Sequence, residues 1–262
     1  KERADSREEF RKEHSDAKRL EKVRKLTGMR RFSKEPEVEQ AGTVKRKNYR
    51  IEKLIINHEH GIPVPGLLFI PEGVTGKMPA TLYVDGRGKN HEAGIEGNIA
   101  ELVNEGRIVL AIDVRGIGEL ADPGSGRYED QRRSALLSDF TGHSLIGQRV
   151  EDVIAAMEVL SGRSDVKEND ITLIGTRQAG PVVLHAAAFD SRCSKVVVRN
   201  SINSFVDVLK SPLSEHQFPY VVPFALKYYD LPDLIDIISP RKVEMKNCGR
   251  LKGWKLQDKP GS

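Results

Sequence analysis

The part of the sequence that bears most directly on chemistry runs from Ile171 to Phe189. It joins an apolar strand to a predicted helix through a tight turn, with Gly175 and Ala179 as the small residues on either side of the central position. This pattern is typical of a nucleophile elbow, in which a buried strand and a helix hold the central side chain out toward a substrate. The central residue is Arg177, whose guanidinium stays protonated and has no lone pair for attack. The pattern therefore predicts the geometry of an elbow and excludes its usual chemistry.

Strands and helices alternate from about residue 48 onward. Hydrophobic periodicity predicts strands at 49–57, 61–70, 80–84, 108–113, 171–174, 195–198 and 242–246, and helices at 95–105, 146–160, 181–189 and 231–238. The first two strands form an antiparallel hairpin, and the short apolar runs after them are typical of parallel strands covered on both faces. The alternation predicts an α/β fold, a mostly parallel sheet flanked by helices.

The chain divides into three predicted parts. Residues 1–46 form a charged helical N-terminal extension, in which a thin apolar stripe packs on the main domain and Gly28 ends a helix. Residues 47–247 form the α/β core, and residues 248–262 form a C-terminal tail.

Composition excludes several classes of function. The chain has 262 residues and is 38% hydrophobic, enough for a substantial core, but no apolar run approaches the roughly 18 residues of a membrane span. The net charge is +4, and acidic residues interleave with the basic ones of the N-terminal region, which argues against nucleic-acid binding. Cys193 and Cys248 match no zinc or redox spacing, so we expect neither a metal nor another cofactor.

A set of motifs in a fixed order gives a family resemblance. In chain order they are 82–88 (LYVDGRG), 109–119 (VLAIDVRGIGE), the elbow, 228–233 (YYDLPD) and 238–241 (ISPR). Together they resemble the α/β-hydrolase superfamily and, within it, the bacterial acetyl xylan esterase-like carbohydrate esterases, over about residues 49–246. The resemblance implies a carbohydrate substrate. Together with a first residue that is Lys1 rather than Met, the resemblance predicts an extracytoplasmic or secreted protein.

The resemblance also implies roles for individual residues. Gly86, Arg87 and Gly88 correspond to the oxyanion-hole loop, whose backbone N–H groups face a developing negative oxygen. Gln178, the residue after the elbow centre, corresponds to the other donor, and Arg177 stands in the place of the serine.

The remaining catalytic positions are expected to be missing as well. In this fold an acid and then a histidine follow the nucleophile along the chain. The last histidine is His216, ahead of the predicted strand at 242–246, and no carboxylate stands between Asn247 and Asp258. We therefore expect the sheet to lack its last strand and helix. We also expect an exposed edge that another chain covers, in an oligomer or with a partner.

Two functions follow from these observations. The chain is an esterase-like homologue with impaired catalysis, or it is a non-catalytic binding or assembly module. For the second function, Arg87, Asp113, Arg115 and Arg177 are the candidate ligand-binding residues at the carboxyl edge of the sheet. Arginine forks suit carboxylates, so the expected ligand is a carbohydrate or a small anion such as an acidic sugar. The competing interpretations are that Arg177 fills an abandoned site and that Asp113 forms a local pair with Arg115.

Three further side chains near these motifs have structural interpretations. Ser144 stands where it would cap the helix at 146–160 rather than act as a nucleophile. Thr176 as the elbow centre would put Gln178 where a small residue is needed. His185 lies among apolar residues on the helix after the elbow and is predicted to be a packed helix residue.

Solvent exposure is the favoured interpretation for three further histidines, His58, His60 and His91. His58 and His60 flank a hairpin turn, where they are expected to face water rather than a metal. His91 and Glu92 follow the oxyanion-like loop; they are either exposed or line the cleft in an acid–base role.

Overall fold

The computed structural model of the chain describes residues 2–58, 61–121, 131–210 and 218–249. Its helices are α1 Glu2–Glu13, α2 Asp16–Thr27, α3 Asn98–Asn104, α4 Gln131–Phe140, α5 Leu145–Ser161, α6 Ala179–Phe189, α7 Phe205–Leu209 and α8 Leu231–Ile238. Its strands are β1 Glu37–Lys45, β2 Tyr49–Asn57, β3 Val64–Pro71, β4 Met78–Asp85, β5 Ile108–Ile112, β6 Val166–Thr176, β7 Lys195–Arg199 and β8 Lys242–Lys246. No helix in these ranges is long and apolar enough to span a membrane.

All eight strands belong to a single sheet in the order β1-β2-β3-β5-β4-β6-β7-β8. Strands β1, β2 and β3 pair antiparallel, and β3 joins β5 in the same way. From β5 through β4, β6 and β7 to β8 the pairing is parallel. The predicted α/β fold with a mostly parallel sheet is therefore confirmed. The carboxyl ends of the parallel strands share one edge of the sheet, where ligands of such sheets bind.

Helices cover both faces of the sheet, as the apolar runs predicted. Leu82 and Val84 of β4 pack in the cluster that includes α2, α5, α6 and α8, whereas Tyr83 packs in a second cluster with α3. Because side chains alternate along a strand, Asp85 at the end of β4 lies on the same face as Tyr83. This assignment fixes which polar groups meet at the carboxyl edge.

The N-terminal region differs from its prediction in one respect. The expected helix stop at Gly28 is confirmed, with φ at 69°, and Val23 of α2 is buried against the core. The helical interpretation of residues up to 46 was wrong for β1, whose side chains are almost all exposed and which is ordered by pairing with β2. A strand with so little buried surface lacks the apolar periodicity by which strands are recognised in a sequence.

The last described strand, β8, lies at the opposite edge of the sheet from β1. The chain after residue 249 is outside the described part, so the expected loss of a final strand and helix remains a prediction. The same holds for the tail and for a partner chain at this edge.

Candidate active site

Arg177 stands at the apex of the turn between β6 and α6. Its φ of 54° is in the left-handed region, which few non-glycine residues adopt. Its backbone N–H donates to the Arg199 carbonyl at 2.9 Å, and its carbonyl accepts from Ser201 Oγ at 2.7 Å. The backbone thus has the conformation of a nucleophile elbow, held in place by the end of β7.

The small residues of the motif are required by close packing. A Cβ atom on Gly175 would lie 2.4 Å from Val183 Cγ2 and 2.8 Å from the Ala179 carbonyl. A Cβ on Gly180 would lie 2.2 Å from Ser201 Oγ. Helix α6 therefore approaches β6 and the segment after β7 so closely that only glycine fits at these two positions.

The loop after β4 lies directly against the elbow, in the place predicted for the oxyanion loop. A Cβ on Gly86 would be 2.9 Å from the Gln178 backbone nitrogen and 3.1 Å from Arg177 Cβ. The loop N–H groups, however, have acceptors within the protein. Gly86 donates to the Thr176 carbonyl at 3.2 Å, Arg87 to Asp85 Oδ1 at 2.8 Å and Gly88 to the Asp85 carbonyl at 3.0 Å. The loop thus lies beside the elbow, but these three N–H groups already have acceptors within the protein.

The side chain of Arg87 is also held by carboxylates. Its guanidinium donates to both oxygens of Asp85 at 3.1 Å and to Glu92 Oε1 at 3.0 Å. Glu92 in turn accepts from Asn98 Nδ2, at the first residue of α3, at 2.7 Å. Arg87 therefore joins the loop after β4 to the start of α3, and Glu92 is a structural anion rather than a solvated one.

Arg199 completes this group of polar side chains. The β-sheet register pairs Asp85 with Thr176 and Thr176 with Arg199, so their side chains share the face that carries α3. Arg199 Nη1 lies 3.4 Å from Asn98 Oδ1. Arg199 was not predicted from the sequence. The available signal was its position at the carboxyl end of a parallel strand, the same kind of position for which Asp113 was chosen.

Three atoms near the elbow are buried and have no hydrogen-bond partner in the described part of the chain. They are Thr176 Oγ1, Gln178 Oε1 and Arg199 Nε. Buried polar atoms are normally satisfied by protein, water or a ligand. We name Asp85, Arg87, Glu92, Thr176, Arg177, Gln178 and Arg199 the elbow cluster.

Tyr83 lies next to the elbow cluster but is not a candidate base. Burial raises the pKa of Tyr83 well above its usual value, and the negative charges of Asp85 and Glu92 raise it further. Its phenol therefore stays protonated at neutral pH.

The predicted pair of Asp113 with Arg115 is wrong. Asp113 accepts from the Lys89 backbone N–H at 2.6 Å, from Lys89 Nζ at 2.7 Å and from the Glu119 N–H at 2.9 Å. Arg115 instead donates from Nε to Asp152 Oδ1 at 3.1 Å. Asp152 is fully buried on α5, and a buried carboxylate needs a charged partner. The structure therefore places Arg87 in the loop beside the elbow whose apex is Arg177, whereas Asp113 and Arg115 serve other contacts.

His58 is not the solvated residue that its hairpin position predicted. Its side chain is 1% exposed and its Nε2 lies 3.1 Å from Asp152 Oδ1, the atom that also accepts from Arg115. His60 lies outside the described residues. His91, in contrast, is partly exposed, and its Nδ1 lies 4.0 Å from Glu92 Oε1. The described residues contain no group of three or more His, Cys, Asp or Glu side chains that could hold a metal ion.

Two structural interpretations are confirmed. Ser144 Oγ accepts from the Gly147 N–H at 3.1 Å and so caps α5. His185 is buried on α6 between the Pro181 carbonyl, 2.6 Å from Nδ1, and the Tyr229 hydroxyl, 2.9 Å from Nε2. Burial lowers the pKa of His185 to about 4.

Comparison with known proteins decides the family. The sequence profile of the acetyl xylan esterase (AXE1) family matches residues 9–218. The chain belongs to the acetyl xylan esterase (AXE1) family. Among curated proteins, it is 27% identical over 217 residues to a Bacillus subtilis protein named as a hydrolase, YtaP, covering 78% of this chain and 71% of that one.

Solved structures of this family have the same fold. A Bacteroides fragilis protein assigned to the acetyl xylan esterases superposes with a TM-score of 0.74 at 17% identity, covering 91% of this chain and 68% of that one. Acetyl xylan esterase 1 of Thermoanaerobacterium superposes with a TM-score of 0.62 at 18% identity, covering 90% and 88%. This member of the acetyl xylan esterase family thus has the fold of these esterases, with Arg177 at the apex of its elbow.

Proposed function

We propose that this chain is a catalytically impaired member of the acetyl xylan esterase family. The observation that carries the proposal is the side chain at the elbow apex, where the left-handed backbone holds Arg177. A protonated guanidinium cannot form an acyl-enzyme, because it has no nucleophilic lone pair.

The hydroxyl groups nearest the elbow do not replace the missing nucleophile. Ser201 is 4% exposed and its Oγ donates to the Arg177 carbonyl at 2.7 Å, so its proton is engaged with the backbone. Thr176 is 4% exposed and its side chain lies on the α3 face of the sheet. An activated nucleophile needs an adjacent base as well as access to the substrate. His185, the histidine on α6, is bonded to Pro181 and Tyr229 instead.

Hydrolysis of 4-nitrophenyl acetate tests this proposal. We expect the wild-type chain, Arg177→Ala and Arg177→Ser all to give rates within a few-fold of the buffer. Serine at the apex supplies a hydroxyl but no base to deprotonate it. Arg50→Ala, at a partly exposed arginine on β2, is the matched control for loss of an arginine. Turnover by the wild type well above buffer that Arg177→Ala alone abolishes would contradict the proposal.

The elbow cluster favours a second candidate function, binding of a small anion such as the carboxylate of an acidic sugar. Arg87 pairs with both Asp85 and Glu92. Arg199 ends a strand on the same face of the sheet as Asp85, and Arg177 stands at the elbow apex. These five residues therefore carry three positive and two negative charges. Arginine is suited to carboxylates because its planar fork makes paired hydrogen bonds. The unsatisfied Arg199 Nε is a donor that a bound anion would satisfy.

Calorimetric titration with glucuronate, and with glucose as the uncharged sugar, tests this second candidate. A hydrogen bond to a charged group contributes about 1.5–3 kcal/mol, so we expect Arg199→Gln to weaken glucuronate binding by about 10- to 100-fold. Arg177→Ala should weaken it in the same direction, and Arg50→Gln should leave it unchanged. Equal affinities of the wild type and Arg199→Gln, or equal affinities for the two sugars, would remove this candidate.

A further inference from the structure

Three lysines surround one glutamate on the last two described strands of the sheet. Lys195 Nζ lies 2.9 Å and Lys242 Nζ lies 2.8 Å from Glu244 Oε1, and Lys246 Nζ lies 3.3 Å from Glu244 Oε2. Within the described ranges, no other carboxylate lies within 4.0 Å of these three ammonium groups. We name these four residues the lysine cluster; it carries three positive charges and one negative charge.

The lysine cluster lies on the face of the sheet that carries α3. Lys195 is paired with Lys242 in the β7–β8 register, and Val197 of the same β7 face packs with residues of α3. Helices α6 and α8 pack on β7 and β8 from the opposite face, while α3 packs mainly on β3 and β5. The side chains of Lys242 and Lys246 are 69% and 53% exposed. A ligand can therefore reach these ammonium groups from solvent.

The electrostatic potential at the lysine cluster is positive. The hydrogen bonds and charges of Lys242, Lys195 and Lys246 lower the pKa of Glu244 to about 2, although this carboxylate lies at the surface. An ammonium group has three N–H donors, so a single carboxylate does not satisfy three such groups. The cluster thus retains both the charge and the donors to bind a further anion.

The composition of this face favours a polyanion over a protein partner. Its side chains on β7 and β8 are charged except for Val197, which is buried, and none of them is aromatic. Protein–protein interfaces are rich in aromatic residues and depleted in lysine. Proteins that bind single-stranded nucleic acids use aromatic side chains on which the bases stack. The lysine cluster offers charge without either kind of anchor.

The position of the elbow cluster favours an acidic polysaccharide among polyanions. Arg199, a member of the elbow cluster, is paired with Lys246 in the β7–β8 register. From this pair to the pair of Lys195 with Lys242, the two strands extend about 13 Å, at about 3.3 Å per residue. A chain of acidic sugars that has one carboxylate at Arg199 can therefore continue across the lysine cluster.

We propose that the lysine cluster binds the carboxylates of a polyuronate chain. The choice of a polysaccharide rests on the second candidate function above, whereas the charge and exposure of the lysine cluster do not depend on it.

Fluorescence anisotropy with labelled oligogalacturonate at low ionic strength tests the proposal on the full chain. We expect the double variant Lys242→Gln/Lys246→Gln to bind about 5- to 25-fold more weakly, since an exposed ion pair contributes up to about fivefold. Lys12→Gln/Lys77→Gln is the matched control. These lysines are 70% and 54% exposed and also pair with single glutamates. The control should bind within twofold of the wild type.

Glu244→Gln tests the sign of the effect. This variant removes the one negative charge of the lysine cluster, so we expect it to bind oligogalacturonate about two- to fivefold more tightly. A glutamate that merely held the lysines in place would give the opposite result. Absence of saturable binding, equal losses in the two lysine double variants, or weaker binding by Glu244→Gln would overturn the proposal. Tighter binding of a DNA duplex than of oligogalacturonate of equal charge would also overturn it, by assigning the cluster to nucleic acid.

Titration with glucuronate separates this proposal from the second candidate function. We expect Lys242→Gln/Lys246→Gln to bind the monosaccharide as the wild type does, because its carboxylate is held at the elbow cluster. Glucuronate binding without binding of the oligomer would remove the lysine-cluster proposal alone. Binding of the oligomer, weakened by the lysine variant, without glucuronate binding would remove the elbow candidate alone.

Discussion

Arg177 keeps a backbone conformation that costs a non-glycine residue roughly 1–2 kcal/mol. The φ of 54° persists because the residue's own N–H and C=O are bonded to Arg199 and Ser201, and because α6 packs closely on β6. The conformation therefore depends on its neighbours rather than on the side chain at the apex. This explains how the elbow conformation is held with an arginine at its apex.

The close approach of α6 gives a prediction about Gly175. Substitution by alanine should lower the free energy of unfolding by about 1–3 kcal/mol, because the added Cβ meets Val183 at 2.4 Å and the Ala179 carbonyl at 2.8 Å. Urea unfolding followed by circular dichroism measures the change. Gly94→Ala is the control, since nothing lies within 4 Å of a Cβ at that position. Equal free energies of unfolding for the two variants would show that α6 can move away from β6 without loss of stability.

At the residue scale, local features were predictable and distant pairings were not. The elbow, the cap at Ser144 and the packed His185 can each be recognised from residue types within a few positions along the chain, so pattern and spacing were enough. Arg115 and His58 converge on Asp152 from 37 and 94 residues away. No sequence spacing indicates such a contact, and for that reason the partner of Arg115 was predicted incorrectly.

At the scale of elements, the amphipathic pattern of α5 predicted its apolar face but not the burial of its charged residues. Its apolar face was predicted and is buried in the core. Arg149, Glu151 and Asp152 on the same helix are also fully buried, although their types predict exposure. They are tolerated because partners from other elements reach them. Arg149 Nε donates to the Arg115 carbonyl at 2.8 Å, and His143 Nε2 lies 2.9 Å from Glu151 Oε1.

Helix α6 contributes a pH-dependent term to stability through His185. Its folded pKa of about 4 lies below the unfolded value of about 6.5, so the unfolded chain binds the proton more tightly. Stability from this group is complete above about pH 6.5 and is lost as the pH falls toward about 4. The loss should approach roughly 3 kcal/mol. The measurement is urea unfolding at pH 7.5, 6, 5 and 4.5.

His185→Gln isolates this term, because the acidic residues of both proteins titrate alike. The variant should be less stable at pH 7.5, since the bonds to Pro181 and Tyr229 change, but its stability should fall less steeply with acid. Parallel slopes in the two proteins would mean that His185 has the same pKa in the folded and the unfolded chain.

At the scale of the whole molecule, the N-terminal helix α1 is joined to α8 by charge. Arg7 Nη1 lies 3.0 Å from Asp230 Oδ2 and Arg7 Nε lies 3.6 Å from Asp233 Oδ2, with side chains of both acids nearly buried. The Phe10 ring meets the edge of Tyr228, with centroids 5.3 Å apart. The N-terminal region is thus packed on the α/β core rather than extended from it.

We expect Arg7→Ala to lower the free energy of unfolding by about 1.5–3 kcal/mol, because a buried carboxylate loses a charged donor. Lys12→Ala is the control, since Lys12 and its partner Glu8 are both more than half exposed and such pairs contribute little. Urea denaturation of the two variants measures the difference. Matching midpoints would show that α1 is held by its apolar contact alone.

The edge strand β1 has a consequence for association between molecules. Its side chains are exposed on both faces, Glu37, Glu39 and Lys45 among them, and its register with β2 shifts between Gln40 and Gly42. Charges and a bulge on an edge strand hinder the addition of a strand from another molecule, since an incoming backbone meets charge and an interrupted ladder. The fold therefore protects this end of its sheet against aggregation at high concentration.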